Sequence, residues 1–206
     1  MKQLIREHPL IAILRNVPLS QTLQYAQAVF DGGIHAFEIA LNSPDALRQI
    51  ELLRKQYGET AEIGAGTAIT VRKASDALLA GATFLLTPSS TPEVLTYCCE
   101  NKVKLLPGVM TPTDVSVCVN NGFHTLKLFP AGDLPKNYIK SLQGPFDDTE
   151  YVAVGGVNKD NIQSFFERGF VGVGIGSNLI PKEYIENNEW EKAKEYVQAL
   201  VTHCMP

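Results

Sequence analysis

Short apolar runs recur along the chain, each closed by Gly, Pro, Thr or Ser and followed by a stretch whose apolar residues fall at helical spacing. The runs are LIAILR (10–15), AFEIAL (36–41), EIGAGT (62–67), FLLTP (84–88), KLLPGV (104–109), TLKLFP (125–130), YVAVGG (151–156) and VGIGS (173–177). Runs of this length, rich in Ile, Val, Leu and Phe and bounded by turn residues, read as buried strands. The stretches between them predict helices. One follows Ser20 as N-cap and stops at Gly32, and another takes Ser43 as N-cap with Pro44 in its first turn. KASDALLAGA, TPEVLTYCCENK, TPTDVSVCVNNG and NKDNIQSFFERG repeat the plan. Eight strand–helix units at short, even spacing predict a (β/α)8 TIM barrel. A doubly wound open sheet competes with it, but the chain shows no long crossover. The expectation is one domain over residues 1–206, with a short N-terminal helix before the first strand.

Composition narrows the function classes. The chain has 206 residues, 45% hydrophobic and 19% charged, which fits a globular domain with a sizeable core. Its 22 acidic against 18 basic side chains give a net charge of −4, so no general nucleic-acid partner is expected. The six-residue apolar stretch near the start is too short for a signal-peptide core or a membrane span. Cys98, Cys99, Cys118 and Cys204 form no CxxC pair and no disulfide framework, which fits reduced thiols and a cytoplasmic setting.

In a barrel of this kind, chemistry gathers at the C-terminal ends of the strands. Two charged residues lie inside apolar runs there. Strand side chains alternate faces, so Leu126 and Leu128 packed outward on helices would turn Lys127 into the barrel. Phe37 and Ile39 would do the same for Glu38. A buried Lys–Glu pair that only holds the fold is a poor stabiliser, because desolvating both charges offsets their attraction. The alternative is a Schiff-base lysine with an acid/base partner. Apolar walls lower the amine's pKa and leave it free to attack a ketone.

The ends of the seventh and eighth strands carry glycine pairs, AVGGV and VGIGS. Glycines allow close approach of backbone N–H groups to an anion, and these are the loops where barrels usually hold phosphate. Gly155, Gly156, Gly176 and Ser177 are the candidate phosphate ligands. Arg15, Asn42, Thr67 and Pro88, at the ends of the first four strands, and Val154 on the seventh are candidate substrate contacts. Pro107 and Gly108 shape either another loop of the mouth or a plain turn. His8, His35, His124 and His203 look incidental, and no His, Cys, Asp or Glu cluster has metal-ligand spacing. No cofactor, metal or nucleophile triad is expected.

These residues resemble a known family, the class I 2-keto-3-deoxy-6-phosphosugar-acid aldolases of the Entner–Doudoroff type. LIAILR, FEIALNSP, IGAGT, TPSSTPEV, LPGVMTP, LKLFPAG, VGGV and GIGS carry the resemblance, in order, over nearly the whole chain. It implies that Lys127 forms the Schiff base and Glu38 shuttles protons. Arg15 and Thr67 would hold the pyruvyl end, and the four glycine-loop residues the phosphate. It further implies a metal-free homotrimer that releases pyruvate and glyceraldehyde 3-phosphate. The phosphogluconate branch typically has Arg in place of Asn42 and Thr in place of Val154. The phosphogalactonate branch matches better in ILR, EI-x-LNSP and AVGGV, whereas FPAGDLPKNYIKSLQGPF differs from both. The expected substrate is therefore 2-dehydro-3-deoxy-6-phosphogalactonate, with phosphogluconate or 4-hydroxy-2-oxoglutarate activity as runner-up. A non-covalent barrel isomerase and a sugar-phosphate-binding protein without activity are the rival classes.

Overall fold

A computed structural model describes residues 1–204. Its strand segments are β1 (Leu10–Leu14), β2 (Ala36–Ala40), β3 (Glu62–Gly66), β4 (Phe84–Leu86), β5 (Leu105–Leu106), β6 (Gly108–Val109), β7 (Thr125–Leu128), β8 (Glu150–Val154) and β9 (Gly172–Ile175). They form one sheet in the order β5-β4-β3-β2-β1-β9-β8-β7-β6, and every pairing between neighbours is parallel. β5 and β6 are halves of one strand, so the two edges of that order meet and the sheet closes as the expected eight-stranded barrel. The open-sheet alternative is thereby removed.

The break falls at Pro107, which has no N–H to give to a ladder. The strand nevertheless continues. β5 pairs with β4 through Leu85–Leu105 and Leu86–Leu106, and β6 pairs with β7 through Gly108–Lys127 and Val109–Leu128. The Pro107 carbonyl accepts the Lys127 N–H at 2.8 Å. Pro107 and Gly108 thus form neither a free mouth loop nor a turn.

Alternation sorts the strands into two apolar layers. Phe37, Ile39, Leu126, Leu128, Tyr151 and Ala153 belong to the layer between sheet and helices. Ile11, Ile13, Phe84, Leu86, Leu106, Val152 and Val154 fill the barrel interior, joined from below by Leu4 and Ile5. Those two residues lie on the N-terminal helix Lys2–Glu7, which closes the floor of the barrel.

Two predicted helix starts move. The helix after β1 runs Thr22–Asp31 behind a 3-10 turn (Leu19–Gln21) that contains Ser20, so Gln21 rather than Ser20 takes the N-cap position. The Thr22 hydroxyl ties back to the Pro18 carbonyl at 3.1 Å. Gly32 stays right-handed, and Gly33, at φ +100°, makes the actual turn. The helix after β2 starts at Ala46, not near Pro44, and its N-cap residue Asp45 is left-handed at φ +57°. Ser43 caps nothing there. Its hydroxyl instead accepts the Asn16 N–H at 3.0 Å and joins the first two strand exits. The helices that begin at Val71, Pro92 and Pro112 follow the expected plan behind Thr70, Thr91 and Thr111. Thr111 and Asp114 form a capping box.

Candidate active site

The two inward charges lie where alternation places them. Lys127 is flanked on β7 by outward Leu126 and Leu128 and is 5% exposed, and Glu38 on β2 is 1% exposed. The sheet makes deliberate room for the carboxylate. Gly66 is its neighbour on β3, and a Cβ on Gly66 would overlap Glu38 Oε1. Glu38 Oε2 is buried with no hydrogen-bond partner among the described residues, an unusual state for a carboxylate oxygen.

Burial dominates the electrostatics of both groups. It pulls the Lys127 ammonium below its ordinary range, with Glu38 opposing the shift and Arg15 adding to it. It pushes the Glu38 carboxyl up, although the positive charges of Lys127 and Arg15 pull it back. Each shift moves its group toward neutrality. Burial thus disfavours the charged form of both groups, which is the direction that amine attack and proton exchange require.

Above this pair opens a cavity of about 270 Å³ lined by Arg15, Val154, Gly155, Gly156, Gly176 and Ser177. Phe129 shares the lining, and the Lys127 ammonium lies 5.2 Å from its ring centroid. Phe129 is a member of the site that the sequence reading passed over. The signal was present, since Phe129 has the same strand parity as Lys127. Gly155 and Gly156 have φ of +93° and +74°, the region glycine adopts without strain. Their carbonyls are engaged from outside, Gly155 by the Gly132 N–H at 2.9 Å and Gly156 by Asn161 Nδ2 at 2.8 Å.

The other expected residues divide. Arg15 Nη1 donates to Asn42 Oδ1 at 3.3 Å, so the strand ends of β1 and β2 are linked at the mouth. Thr67 directly follows Gly66 at φ +61°, a strained conformation for a β-branched residue. Thr67 does not line the glycine cavity, and neither does Pro88. Pro88 backs the site: its backbone and the Thr87 carbonyl lie where a Cβ on Gly108 would go, and Thr87 Oγ1 accepts the Gly108 N–H at 3.1 Å. A larger groove of about 350 Å³ opens beside Ser43, Asp45, Arg48 and Lys73. Neither Lys127 nor Glu38 lines either opening, and the glycine cavity is the one joined to Lys127, through Phe129.

On the opposite face, His124 Nδ1 pairs with Asp148 at 2.9 Å, a structural contact far from the mouth. Among the described residues no group of three or more His, Cys, Asp or Glu side chains is placed to hold a metal ion. No helix among them is long and apolar enough to cross a membrane.

The model of the KDPG and KHG aldolase family matches residues 1–196. The 2-dehydro-3-deoxy-6-phosphogalactonate aldolase of Escherichia coli K12 is 32% identical over 93% of this chain and 94% of its own. A 2-dehydro-3-deoxy-phosphogluconate aldolase of Pseudomonas aeruginosa is 31% identical over 90% of this chain and 83% of its own. Among solved structures, the KDPG aldolase of Legionella pneumophila, with pyruvate captured at low pH as a covalent carbinolamine, superposes at TM-score 0.88. It is 31% identical and covers 96% of both chains. A barrel with a buried lysine and carboxylate beneath a glycine-lined cavity, matched along nearly its whole length, belongs to the KDPG and KHG aldolase family and is a carbon–carbon lyase.

Proposed function

We propose that the protein is a Schiff-base aldolase that cleaves 2-dehydro-3-deoxy-6-phosphogalactonate to pyruvate and glyceraldehyde 3-phosphate. The observation that carries the chemistry is the burial of Lys127 and Glu38 together, with Glu38 Oε2 unpartnered. Such a pair gives the fold little stability, and its shifted proton affinities suit covalent catalysis.

The amine of Lys127 adds to the C2 ketone and forms a carbinolamine. Glu38 delivers the proton with which water departs, leaving a protonated imine. The Glu38 carboxylate left by that step takes the C4 hydroxyl proton as the C3–C4 bond breaks, and the bond's electron pair moves into the iminium to give an enamine. Glyceraldehyde 3-phosphate leaves. Protonation at C3 and hydrolysis of the imine release pyruvate and restore the lysine. Arg15, held by Asn42, and Thr67 bind the keto-acid end, with Pro88 behind them. Gly155, Gly156, Gly176 and Ser177 take the phosphate. No cofactor enters this sequence, because the iminium is itself the electron sink.

Val154 supports the choice of epimer. It projects into the barrel interior, 4% exposed, and also lines the glycine cavity. The two candidate sugar acids differ at C4. A hydroxyl at this position could bond one epimer's C4 hydroxyl, which Val154 cannot do, and an unmet hydrogen bond discriminates strongly. The two relatives above, at 32% and 31% identity, do not separate the substrates.

The test is incubation with pyruvate and borohydride, followed by mass analysis of the intact chain and its peptides. A reduced pyruvyl adduct on Lys127 is expected, and a folded protein with no adduct would remove the mechanism. Comparison of kcat/KM on the two phosphosugar acids then decides the epimer. Preference for the gluconate epimer would overturn that part of the reading. A homotrimer and a cytoplasmic location complete the proposal. Light scattering at a mass near 22.6 kDa, that of one chain, would contradict the trimer.

A further inference from the structure

The glycine cavity has a neighbour. A second cavity, of about 400 Å³, shares Ser177 and Asn178 with it and is otherwise lined by Asn158, Lys159, Lys182 and Tyr196, among others. The two cavities differ in charge. Arg15 is the cation in the lining of the glycine cavity, and its guanidinium is held by Asn42 at the ends of β1 and β2. The phosphate end thus meets glycine backbone, a serine hydroxyl and the single cation Arg15, whose bond to the neutral Asn42 leaves its charge in place. A phosphomonoester carries nearly two negative charges at neutral pH.

The adjoining cavity holds two ammonium groups, Lys159 and Lys182, against one carboxylate, Asp160. Lys182 is spent on Glu186 at 3.0 Å, and its side chain is largely exposed. Lys159 is different. It is half-buried and enters no ion pair among the described residues, and its ammonium lies 5.2 Å from the Tyr196 ring centroid. That cation–π contact restrains a long side chain without neutralising its charge.

We infer that Lys159 is a specificity-determining residue for the phosphorylated end of the substrate, a cation beside the glycine loops that selects phosphomonoesters over unphosphorylated analogues. This inference rests on the proposed placement of the phosphate at Gly155, Gly156, Gly176 and Ser177, and it reaches beyond that placement to a side chain in the next cavity. Lys159 touches none of the reacting atoms. It acts through field and water-bridged contact across the shared Ser177 and Asn178, so it changes binding and not the chemical step.

The decisive experiment is calorimetric binding of glycerol 3-phosphate to wild type, Lys159→Ala and Lys159→Arg, at low and high salt. Lys159→Ala should raise Kd roughly three- to tenfold, the scale of one partly exposed charge acting on a dianion. Lys159→Arg should restore binding, and the alanine variant should show a shallower salt dependence. In turnover, Lys159→Ala should raise KM for the phosphorylated acid and leave kcat, and KM for 4-hydroxy-2-oxoglutarate, unchanged. An unchanged Kd, an equal loss on both substrates, or no binding by wild type would overturn the inference. The pyruvate adduct on Lys127 is measured on the same variants. It should form equally in all three, so failure of the Schiff-base reading and failure of the Lys159 reading are separately visible.

Discussion

The floor and the mouth belong to one barrel and obey opposite rules. At the floor, Leu4 and Ile5 of the N-terminal helix close the barrel, both apolar and both nearly inaccessible. Toward the mouth, the interior holds a lysine, a glutamate with an unpartnered oxygen, and glycines in place of packing side chains. Burial at the floor adds stability at about 25 cal/mol per Å² of apolar surface, whereas burial of two charges subtracts from it. One closed sheet thus separates a layer that holds the fold from the layer to which the proposed function assigns the chemistry.

Four variants test that separation, and the first has the largest effect. Lys127→Ala should lower kcat by roughly 10⁴-fold or more, because the covalent route is gone. Its far-ultraviolet circular dichroism should match wild type, and unfolding of this variant would merge the two layers. Glu38→Gln comes next, with a loss of roughly 10² to 10⁴-fold in turnover, as for a missing proton shuttle. It should still form some pyruvate adduct, more slowly, in a stopped-flow or quenched borohydride assay.

The third variant reverses the pattern. Ile5→Ala removes a fully buried side chain at the floor and should cost about 2 to 5 kcal/mol in chemical denaturation. Turnover per folded molecule should stay near wild type, and a matched collapse of kcat would refute the division.

The smallest effect is the most specific. The folded pKa of Lys127 is depressed, so the folded state binds fewer protons than the unfolded chain, and stability rises with pH up to the unfolded value near 10.5. Lys127→Met removes the penalty. The variant should therefore melt above wild type near neutral pH, by a margin that shrinks as pH climbs toward that value. A margin that grows with pH would mean that the lysine is stabilised as a cation in the fold.

Much of this layering was legible in the sequence because it depends on parity. Leu126-Lys127-Leu128 and Phe37-Glu38-Ile39 specify an inward charge once the strand is recognised, and period-two alternation needs no long-range information. The glycine pairs at 155–156 and 174–176 were legible for the same reason, being tied to strand ends. Features that depend on a neighbouring chain segment were not. The sequence shows Gly66 only as small, and its role of vacating space for Glu38 appears once β2 and β3 are in register. Ser43 reads as a local N-cap, but the chain uses it against Asn16, 27 positions away. Pro107 looks like punctuation inside its run. The run KLLPGV reads as one strand, and the pairing partners on both sides carry that strand through the proline rather than ending it in a loop or turn.

That interrupted strand has a consequence for breathing motions. Its ladders hold two register pairs on each side, against five between β2 and β3. Past Leu106, the tie to β4 passes through the Thr87 hydroxyl rather than a second backbone group. Local opening follows the least cross-linked backbone. Deuterium should therefore enter the β4–β6 stretch ahead of β1–β3 in a native-state exchange experiment. The barrel would open like a ring with a clasp, and the clasp is the strand that carries Pro107, beside the lysine.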